Sequence, residues 1–173
     1  AAKLGADLLV LDSPVLAEVL FATARPALVV GCFSTALFTA KEFYDILVAR
    51  VGTQLLLDRL TPFQNSNRVP VVLADALLPD LEKKDEPVAI DELIETMGFV
   101  MQAQIYPHLR DTAERYLSTR LSPRTQRFFR RRRLTALGLP GGIPARLAFL
   151  PRNAAARRVV RRARALKKKA VRK

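Results

Sequence analysis

The chain has 173 residues, of which 50% are apolar, and a net charge of +13. It is long enough for one domain with a substantial core and too short for two comfortable ones. The apolar content excludes a chain that is disordered throughout. The single cysteine, Cys32, cannot form an internal disulfide, so a reducing compartment is the default expectation. The longest uncharged run, residues 26–40, is 15 residues long, against the roughly 20 that a membrane-spanning helix needs.

The charges are distributed very unevenly along the chain. Residues 1–119 hold 10 Lys/Arg and 16 Asp/Glu, whereas residues 120–173 hold 19 Lys/Arg and no acidic residue. Such asymmetry is typical of an interaction arm that binds a polyanion. The chain begins at Ala1 without a methionine and shows no signal-type segment. We therefore expect a piece of a longer protein that is not exported.

Strand-like and helix-like segments alternate through residues 1–80. The apolar runs are continuous, which favours a parallel sheet that is covered on both faces. The predicted fold class is α/β, a Rossmann-like parallel sheet with flanking helices. The predicted strands are residues 7–12, 27–31, 46–50 and 69–73, and the predicted helices are residues 14–23, with Ser13 as N-cap, and residues 34–44.

Two further regions follow this α/β part. Residues 81–119 read as a charged linker and then a long helix over about 88–117, which Pro107 should kink or split. Residues 120–173 form the basic arm. Within the arm, an Arg/Phe segment, a Gly/Pro-containing break and a basic helix candidate are predicted over residues 120–133, 138–151 and 153–173.

The first candidate site is the junction from Gly31 to Thr35. A small residue at the carboxyl end of a strand allows a tight turn, and hydroxyls at the next helix N-terminus can bind an anion together with free backbone N–H groups. Ligands of open α/β sheets bind at these strand ends. The alternative is that Ser34 and Thr35 only cap the helix.

A second candidate site follows the preceding strand, at Asp12, Ser13 and Glu18. A carboxylate at this position can accept both hydroxyls of a ribose. A capping aspartate and a solvated glutamate are the alternative. A third candidate is a polar loop that could hold a sugar or a carboxylate, although its composition alone favours a solvated loop. Its residues are Arg50, Gln64, Asn65, Asn67 and Arg68.

Several common chemistries leave no motif in the sequence. There is no Cys/His cluster for zinc, no GxxxxGK[ST] loop and no GxGxxG fingerprint, so we expect no metal. His108 has no Ser, Cys or Asp partner at motif spacing and is predicted to be a surface or packing histidine. Cys32 is expected to be a small buried filler.

The segments Leu11–Leu20 and Val29–Phe38 resemble the C-terminal half of bacterial sialyltransferases, in particular the α-2,8-polysialyltransferase-like family of GT-B glycosyltransferases. Ser34-Thr35 fits the Ser-Ser/Thr motif of that family, whose hydroxyls contact the donor phosphate. Glu18 resembles the family glutamate that holds the cytidine ribose. The His-Pro motif and the acid-acid-Gly motif that supplies the general base are missing, and we expect both upstream of Ala1.

The resemblance implies the C-terminal half of a GT-B fold, with residues 1–80 as the donor-nucleotide-binding region. It implies a CMP-activated donor, CMP-sialic acid above all, with no further cofactor. The acceptor would be a glycan or glycolipid, and the product a cell-surface glycan such as a capsule polysaccharide. Because the base is expected elsewhere, residues 1–173 alone should not catalyse transfer. The implied donor-binding residues are Ser34, Thr35, Gly31, Glu18, Ser13 and Asp12.

The basic arm is interpreted first as a membrane-surface segment. Phe128 and Phe129 are followed by four arginines, and residues 153–173 carry a thin apolar stripe among Arg and Lys. This mixture is the pattern of an interfacial helix on an anionic membrane. This predicts a cytoplasmic protein attached peripherally to the inner membrane face. Nucleic acid, the glycan product and a solubilising tail remain alternatives, and a basic nucleic-acid-binding protein is the second overall hypothesis. The predicted contact residues are Arg130, Arg131, Arg132, Arg133, Arg157, Arg158, Arg161, Arg162, Lys167, Lys168 and Lys169.

Overall fold

The structure, a computed structural model, describes residues 9–12, 14–84 and 86–143. The chain divides into two compact units, residues 1–113 and 114–173. Ser13, most of the predicted break at 138–151 and the basic helix candidate at 153–173 lie outside the described residues, as do the predicted contacts from Arg157 to Lys169.

The first unit contains a small α/β arrangement. Two strands pair in parallel, with Leu28 opposite Leu47 and Gly31 opposite Arg50. Helices precede, connect and follow them, so the α/β class is confirmed, and the sheet of the described residues has two strands. The elements are α1 (Ala17–Ala24), β1 (Leu28–Gly31), α2 (Thr35–Tyr44), β2 (Leu47–Arg50), α3 (Thr53–Arg59) and α4 (Arg68–Leu77).

Local sequence explains both ends of α2. Ser34 has an extended backbone and its hydroxyl accepts a hydrogen bond from the Ala36 amide, which makes it the N-cap. Asp45 adopts the left-handed conformation with φ 52°, and the Ile46 amide donates to the Ala40 carbonyl at 3.0 Å. This C-terminal turn ends the helix and directs the chain into β2. The prediction for residues 34–44 is confirmed.

One apolar cluster joins α1, α2, β2 and α4. Its fully buried members include Leu37, Ala40 and Ala74, and Phe21 and Val48 are nearly as buried. Val29 of β1 packs against this cluster, whereas Leu28 and Val30 are 45% and 44% exposed. The alternation follows from the period of two in a strand. One face of β1 therefore packs on the helices and the other faces outward.

The predicted strand at residues 69–73 is wrong, because these residues lie in α4. The run continues beyond the apolar segment, and its buried positions include Val71, Val72, Asp75 and Ala76, which match a helical period. Pro70 stands in the first turn, where a missing N–H costs nothing, since the first helical bond runs from Val71 to the Asn67 carbonyl. The short apolar run satisfied strand and helix patterns equally.

The predicted strand at residues 7–12 is also wrong where the structure describes it. Residues 9–12 have no regular secondary structure, and Leu9 and Val10 are 81% and 77% exposed. Strand formation requires a neighbour, and these residues make no pairing with β1 among the described residues. The following helix begins at Ala17, after Leu16 as N-cap, which is later than Pro14.

The linker and helical region that follow α4 run across the boundary of the first unit at residue 113. Asp80 forms a parallel bridge with Arg50, so residues 79–81 lie along β2 on the side away from β1. The predicted long helix is split: α5 covers Asp91–Met101, a 3₁₀ turn covers Pro107–Leu109, and α6 covers Arg110–Thr119. The interruption at Pro107 is thus confirmed. Within the described ranges no helix is both long and apolar enough to cross a membrane.

The second unit includes the start of the predicted arm, which contains short helices. Helices α7 (Pro123–Gln126) and α8 (Arg131–Ala136) follow the end of α6. Ser122 and Thr125 cap α7 reciprocally through each other's backbone N–H groups. The rings of Phe128 and Phe129 are 0% and 4% exposed. The expectation of an interfacial Arg/Phe surface is therefore wrong for the two aromatic rings, which are core residues.

Candidate functional site

The candidate site is built around the start of α2, at the carboxyl end of β1. The Ser34 hydroxyl accepts from the Ala36 amide at 3.2 Å, which leaves its own hydrogen available for a ligand. Thr35 is exposed, and within the described part of the chain no hydrogen bond engages its hydroxyl. The helix has ten residues, so its N-terminus also presents amide N–H groups and a positive dipole end. This combination suits an anionic group such as phosphate.

Gly31 allows the tight approach that the junction needs. A Cβ at this position would lie 3.3 Å from Leu37 Cδ1, which is tighter than most Cβ contacts, so the Leu37 side chain would have to shift slightly. A larger residue would therefore press on the first turn of α2. Gly31 does not adopt a positive φ, so the Leu37 side chain, and not a tight backbone turn, is what limits the residue at this position.

The turn after β2 adjoins the same junction. The Val51 amide donates to the Gly31 carbonyl at 2.9 Å, and Gly52 adopts φ 71°, which favours glycine. A Cβ at Gly52 would lie 3.9 Å from the Cys32 sulfur. Cys32 is half-buried, and burial raises the pKa of its thiol above the usual value. The thiol is thus kept protonated, consistent with a packing role.

Glu18 lies in the first turn of α1, at the end of the first unit that carries Ser34. The C-terminal ends of α1 and α2 line one pocket, and Ala17 packs with Phe33 and Ala36 against one core cluster. Two packed helices whose C-termini meet present their N-termini at the opposite end. Asp12 is exposed and precedes α1 without regular structure. The topology therefore brings Glu18 to the edge that carries Ser34 and Thr35.

A buried charge cluster at the end of β2 was not predicted from the sequence. Arg50 is 1% exposed, and its Nη1 lies 2.6 Å from Asp80 Oδ2 and 3.3 Å from Asp75 Oδ2. The Thr53 hydroxyl accepts from Arg50 at 3.0 Å and donates to Asp75 at 2.7 Å. The cluster fixes the strand end to residues 78–80. The sequence signal for this cluster was limited to Arg50 at the end of an apolar strand and Asp75 in a later helix.

The predicted sugar-binding role of the polar loop is wrong for its two arginines. Arg50 is engaged as described, and Arg68 is 1% exposed. The Arg68 guanidinium donates to the Phe63 carbonyl at 2.9 Å and to the Leu60 carbonyl at 3.0 Å. It also stacks 4.3 Å from the centre of the Phe63 ring. Both guanidinium groups thus hold backbone in place, because a buried carbonyl needs a donor.

The remaining predicted residues are spread over the surface. Arg131 and Arg132 of α8 are exposed, whereas Arg130 and Arg133 are half-buried. His108 is exposed and packs edge-on against Tyr106. No group of three or more His, Cys, Asp or Glu side chains in the described ranges could hold a metal ion.

Comparison with known families gives a match for the N-terminal part of the chain. The sequence model of the alpha-2,8-polysialyltransferase (POLYST) family matches residues 1–53, which include Glu18, β1, the start of α2 and β2. The match covers 53 of the 173 residues. It supports a polysialyltransferase-like, hence glycosyltransferase-like, relationship for this part of the chain. No curated protein and no solved structure gives a match.

Proposed function

We propose that the chain carries the donor-binding part of a sialyl- or polysialyltransferase-like glycosyltransferase that uses a CMP-activated sugar. The observation that carries the proposal is the coincidence of the family match with the anion-binding geometry. The matched segment, residues 1–53, contains Ser34, Thr35 and Glu18 at one edge of the sheet.

The proposed chemistry at this edge is recognition of a nucleoside monophosphate. The hydroxyls of Ser34 and Thr35 donate to the phosphate, together with the first amides of α2. The Glu18 carboxylate accepts the ribose hydroxyls, and Asp12 and Ser13 precede it in the same segment. In an inverting transfer the phosphate is the leaving group. Fixed donors aimed at it stabilise the charge that develops as the sugar departs.

The rest of the assignment extends this core. The fold would be the C-terminal half of a GT-B enzyme, the donor sugar sialic acid, the acceptor a glycan or glycolipid, and the product a cell-surface glycan such as a capsule polysaccharide. The net positive charge after residue 119 supports attachment to the inner membrane face, with Arg131 and Arg132 as exposed contacts. No observation favours the alternative of a nucleic-acid-binding protein.

A titration with CMP tests the proposal. Ser34→Ala would remove a helix cap and cost about 1 kcal/mol of stability, so Thr35→Val is the cleaner variant. A hydrogen bond to a charged group is worth about 1.5–3 kcal/mol. We therefore expect Thr35→Val to weaken CMP binding by roughly ten- to a hundredfold in calorimetry, and Glu18→Gln to weaken it as well.

Thr23→Val is the matched control. Its hydroxyl donates to the Val19 carbonyl at 2.8 Å within α1, away from the proposed site. This variant should bind CMP like the wild type. Equal CMP affinity of the Thr35→Val and Thr23→Val variants, or no CMP binding by the wild type, would contradict the proposal.

A further inference from the structure

A pocket of about 510 Å³ opens where α1 and α2 end. This volume falls in the range of small-molecule sites. The pocket lies beside the amino ends of β1 and β2, at the opposite end from Ser34 and Thr35. Neither the family resemblance nor the proposed donor site accounts for it. Its lining includes Phe21, Arg25, Pro26, Phe43, Tyr44 and Asp45.

The walls of the pocket present aromatic surface to solvent. The Phe43 side chain is 82% exposed, so its ring is open to a ligand. Tyr44 packs edge-on against the buried Phe21 ring at a centroid distance of 5.8 Å, which holds it in place. The electron-rich face of an aromatic ring attracts weakly positive C–H groups. The pocket thus offers a platform for a ring whose face carries C–H groups.

Two unpaired charges stand at the rim. Arg25 and Asp45 are the C-cap residues of α1 and α2 and are both exposed. Among the described residues neither side chain has a hydrogen-bond or ion-pair partner. Hence an anion can reach the Arg25 guanidinium, and a hydroxyl donor can reach the Asp45 carboxylate.

The helix ends decide between ligand classes. The last carbonyls of α1 and α2 point out of their C-termini, and the negative dipole ends disfavour a bare anion. They favour hydroxyl donors instead. A small inorganic anion would be attracted by Arg25 but repelled by Asp45 and by the negative dipole ends of α1 and α2. A ligand with several hydroxyls, one carboxylate and an apolar ring face satisfies Asp45, Arg25 and Phe43 together.

We infer that this pocket binds a unit of an acidic, carboxylate-bearing glycan, with Arg25 on the carboxylate and Phe43 under the sugar ring. The choice of a sugar over another ring acid rests on the proposed glycosyltransferase function. The ten residues of α2 place the pocket about 15 Å from the donor edge. A glycan chain of several units can therefore occupy the pocket without competing with CMP. The pocket acts as a holding site for the acceptor chain.

The test compares two ligands on the full 173-residue chain. An α-2,8-linked sialic acid trimer and CMP are titrated separately by calorimetry, and the trimer again at saturating CMP. We expect Phe43→Ala and Arg25→Gln each to weaken trimer binding by about tenfold, while CMP affinity stays unchanged. Both residues are exposed, so neither replacement should unfold the chain. Thr35→Val should weaken CMP binding alone.

Matched controls lie on neighbouring surfaces. Leu55→Ala removes a 60% exposed apolar side chain from α3, and Lys41→Gln removes an exposed cation from α2. Both should bind the trimer like the wild type, and a neutral maltotriose should bind more weakly than the trimer, with no effect of Arg25→Gln.

The outcomes separate this inference from the proposed function. CMP binding without trimer binding, or trimer binding that Phe43→Ala and Arg25→Gln leave unchanged, overturns the holding site and leaves the donor site standing. Trimer binding that depends on Phe43 and Arg25, without any CMP binding, supports the pocket and contradicts the donor site. Competition between trimer and CMP overturns the separation of the two sites.

Discussion

Replacement of Arg50 with methionine should destabilise the first unit severely. Arg50 is 1% exposed, and its guanidinium is surrounded by oxygen atoms: Nε donates to the Leu78 carbonyl at 3.0 Å, and Nη1 reaches Thr53, Asp75 and Asp80. Methionine fills similar space without a donor. The substitution therefore isolates the loss of the charge and its hydrogen bonds.

The expected loss in the free energy of unfolding follows from the groups that Arg50→Met leaves behind. Asp75 is 0% exposed and would keep the Thr53 hydroxyl while losing its buried cation. Removing one partner of a buried ion pair costs about 3–5 kcal/mol, since the other charge stays buried. Domains of this size have free energies of unfolding of about 5–15 kcal/mol. The Arg50→Met variant should thus retain a small margin of stability or none.

Urea denaturation followed by circular dichroism measures the loss. Lys41→Met is the control, because the Lys41–Glu42 pair at 3.5 Å is exposed, with side chains 49% and 64% accessible, and should contribute less than about 1 kcal/mol. If Arg50→Met does not fold, Thr53→Val removes the shared hydroxyl and should cost about 1–3 kcal/mol. A free energy of unfolding for Arg50→Met within about 1 kcal/mol of the wild type would refute the reasoning.

Three further predictions concern other parts of the molecule. Gly141→Ala should destabilise the second unit by more than about 1 kcal/mol in thermal unfolding, because Gly141 has φ 77° and an added Cβ would collide with Leu121; an unchanged melting temperature would contradict this. Alkylation of Cys32 by iodoacetamide at pH 8 should be slower than that of a free thiol, because burial raises the pKa of Cys32. Its rate should keep rising with pH above the range in which a free thiol has reached its maximal rate. A rate at pH 8 equal to that of the free thiol would contradict this prediction. The double variant Arg131→Gln/Arg132→Gln should lower the affinity for anionic vesicles, measured by co-sedimentation, by roughly thirtyfold, at about 1 kcal/mol for each charge. The control Lys83→Gln/Lys84→Gln removes two exposed charges from the first unit and should leave the affinity unchanged. Equal effects of the two double variants would refute the role of α8.

Local signals in the sequence predicted the parts of the fold that local physics determines. The apolar runs at β1 and β2, the Ser34 cap and the break at Pro107 all act within a few residues, and each appears in the structure. The class α/β and the candidate phosphate edge followed from them.

The failures involve partners distant in sequence. Residues 9–12 have a strand-like composition but no neighbour to pair with among the described residues. Residues 69–73 fit a strand or a helix, and burial of Ala74 and Asp75 on the packed face decides for the helix. Arg68 read as a surface ligand because nothing nearby in sequence shows that the carbonyls of Phe63 and Leu60 need a donor.

The candidate site was predicted in part for the same reason. Ser34 and Thr35 were placed correctly at a helix start because capping is local. The pocket at the far ends of α1 and α2 could not be predicted, because it arises only when Arg25, Phe43 and Asp45 meet in the folded structure. Its exposed aromatic ring carried no sequence signal distinct from a core phenylalanine.

The most direct test of the central claim is an amide chemical-shift titration of the ¹⁵N-labelled chain with CMP. If the start of α2 binds the donor phosphate, the largest shifts will fall on the amides of Ser34, Thr35 and Ala36, with smaller ones near Glu18 and Gly52. The amides of α5 and α8 should not move. Saturating CMP that leaves residues 34–36 unshifted, or that shifts only amides of the second unit, would contradict the assignment of this edge as the donor site.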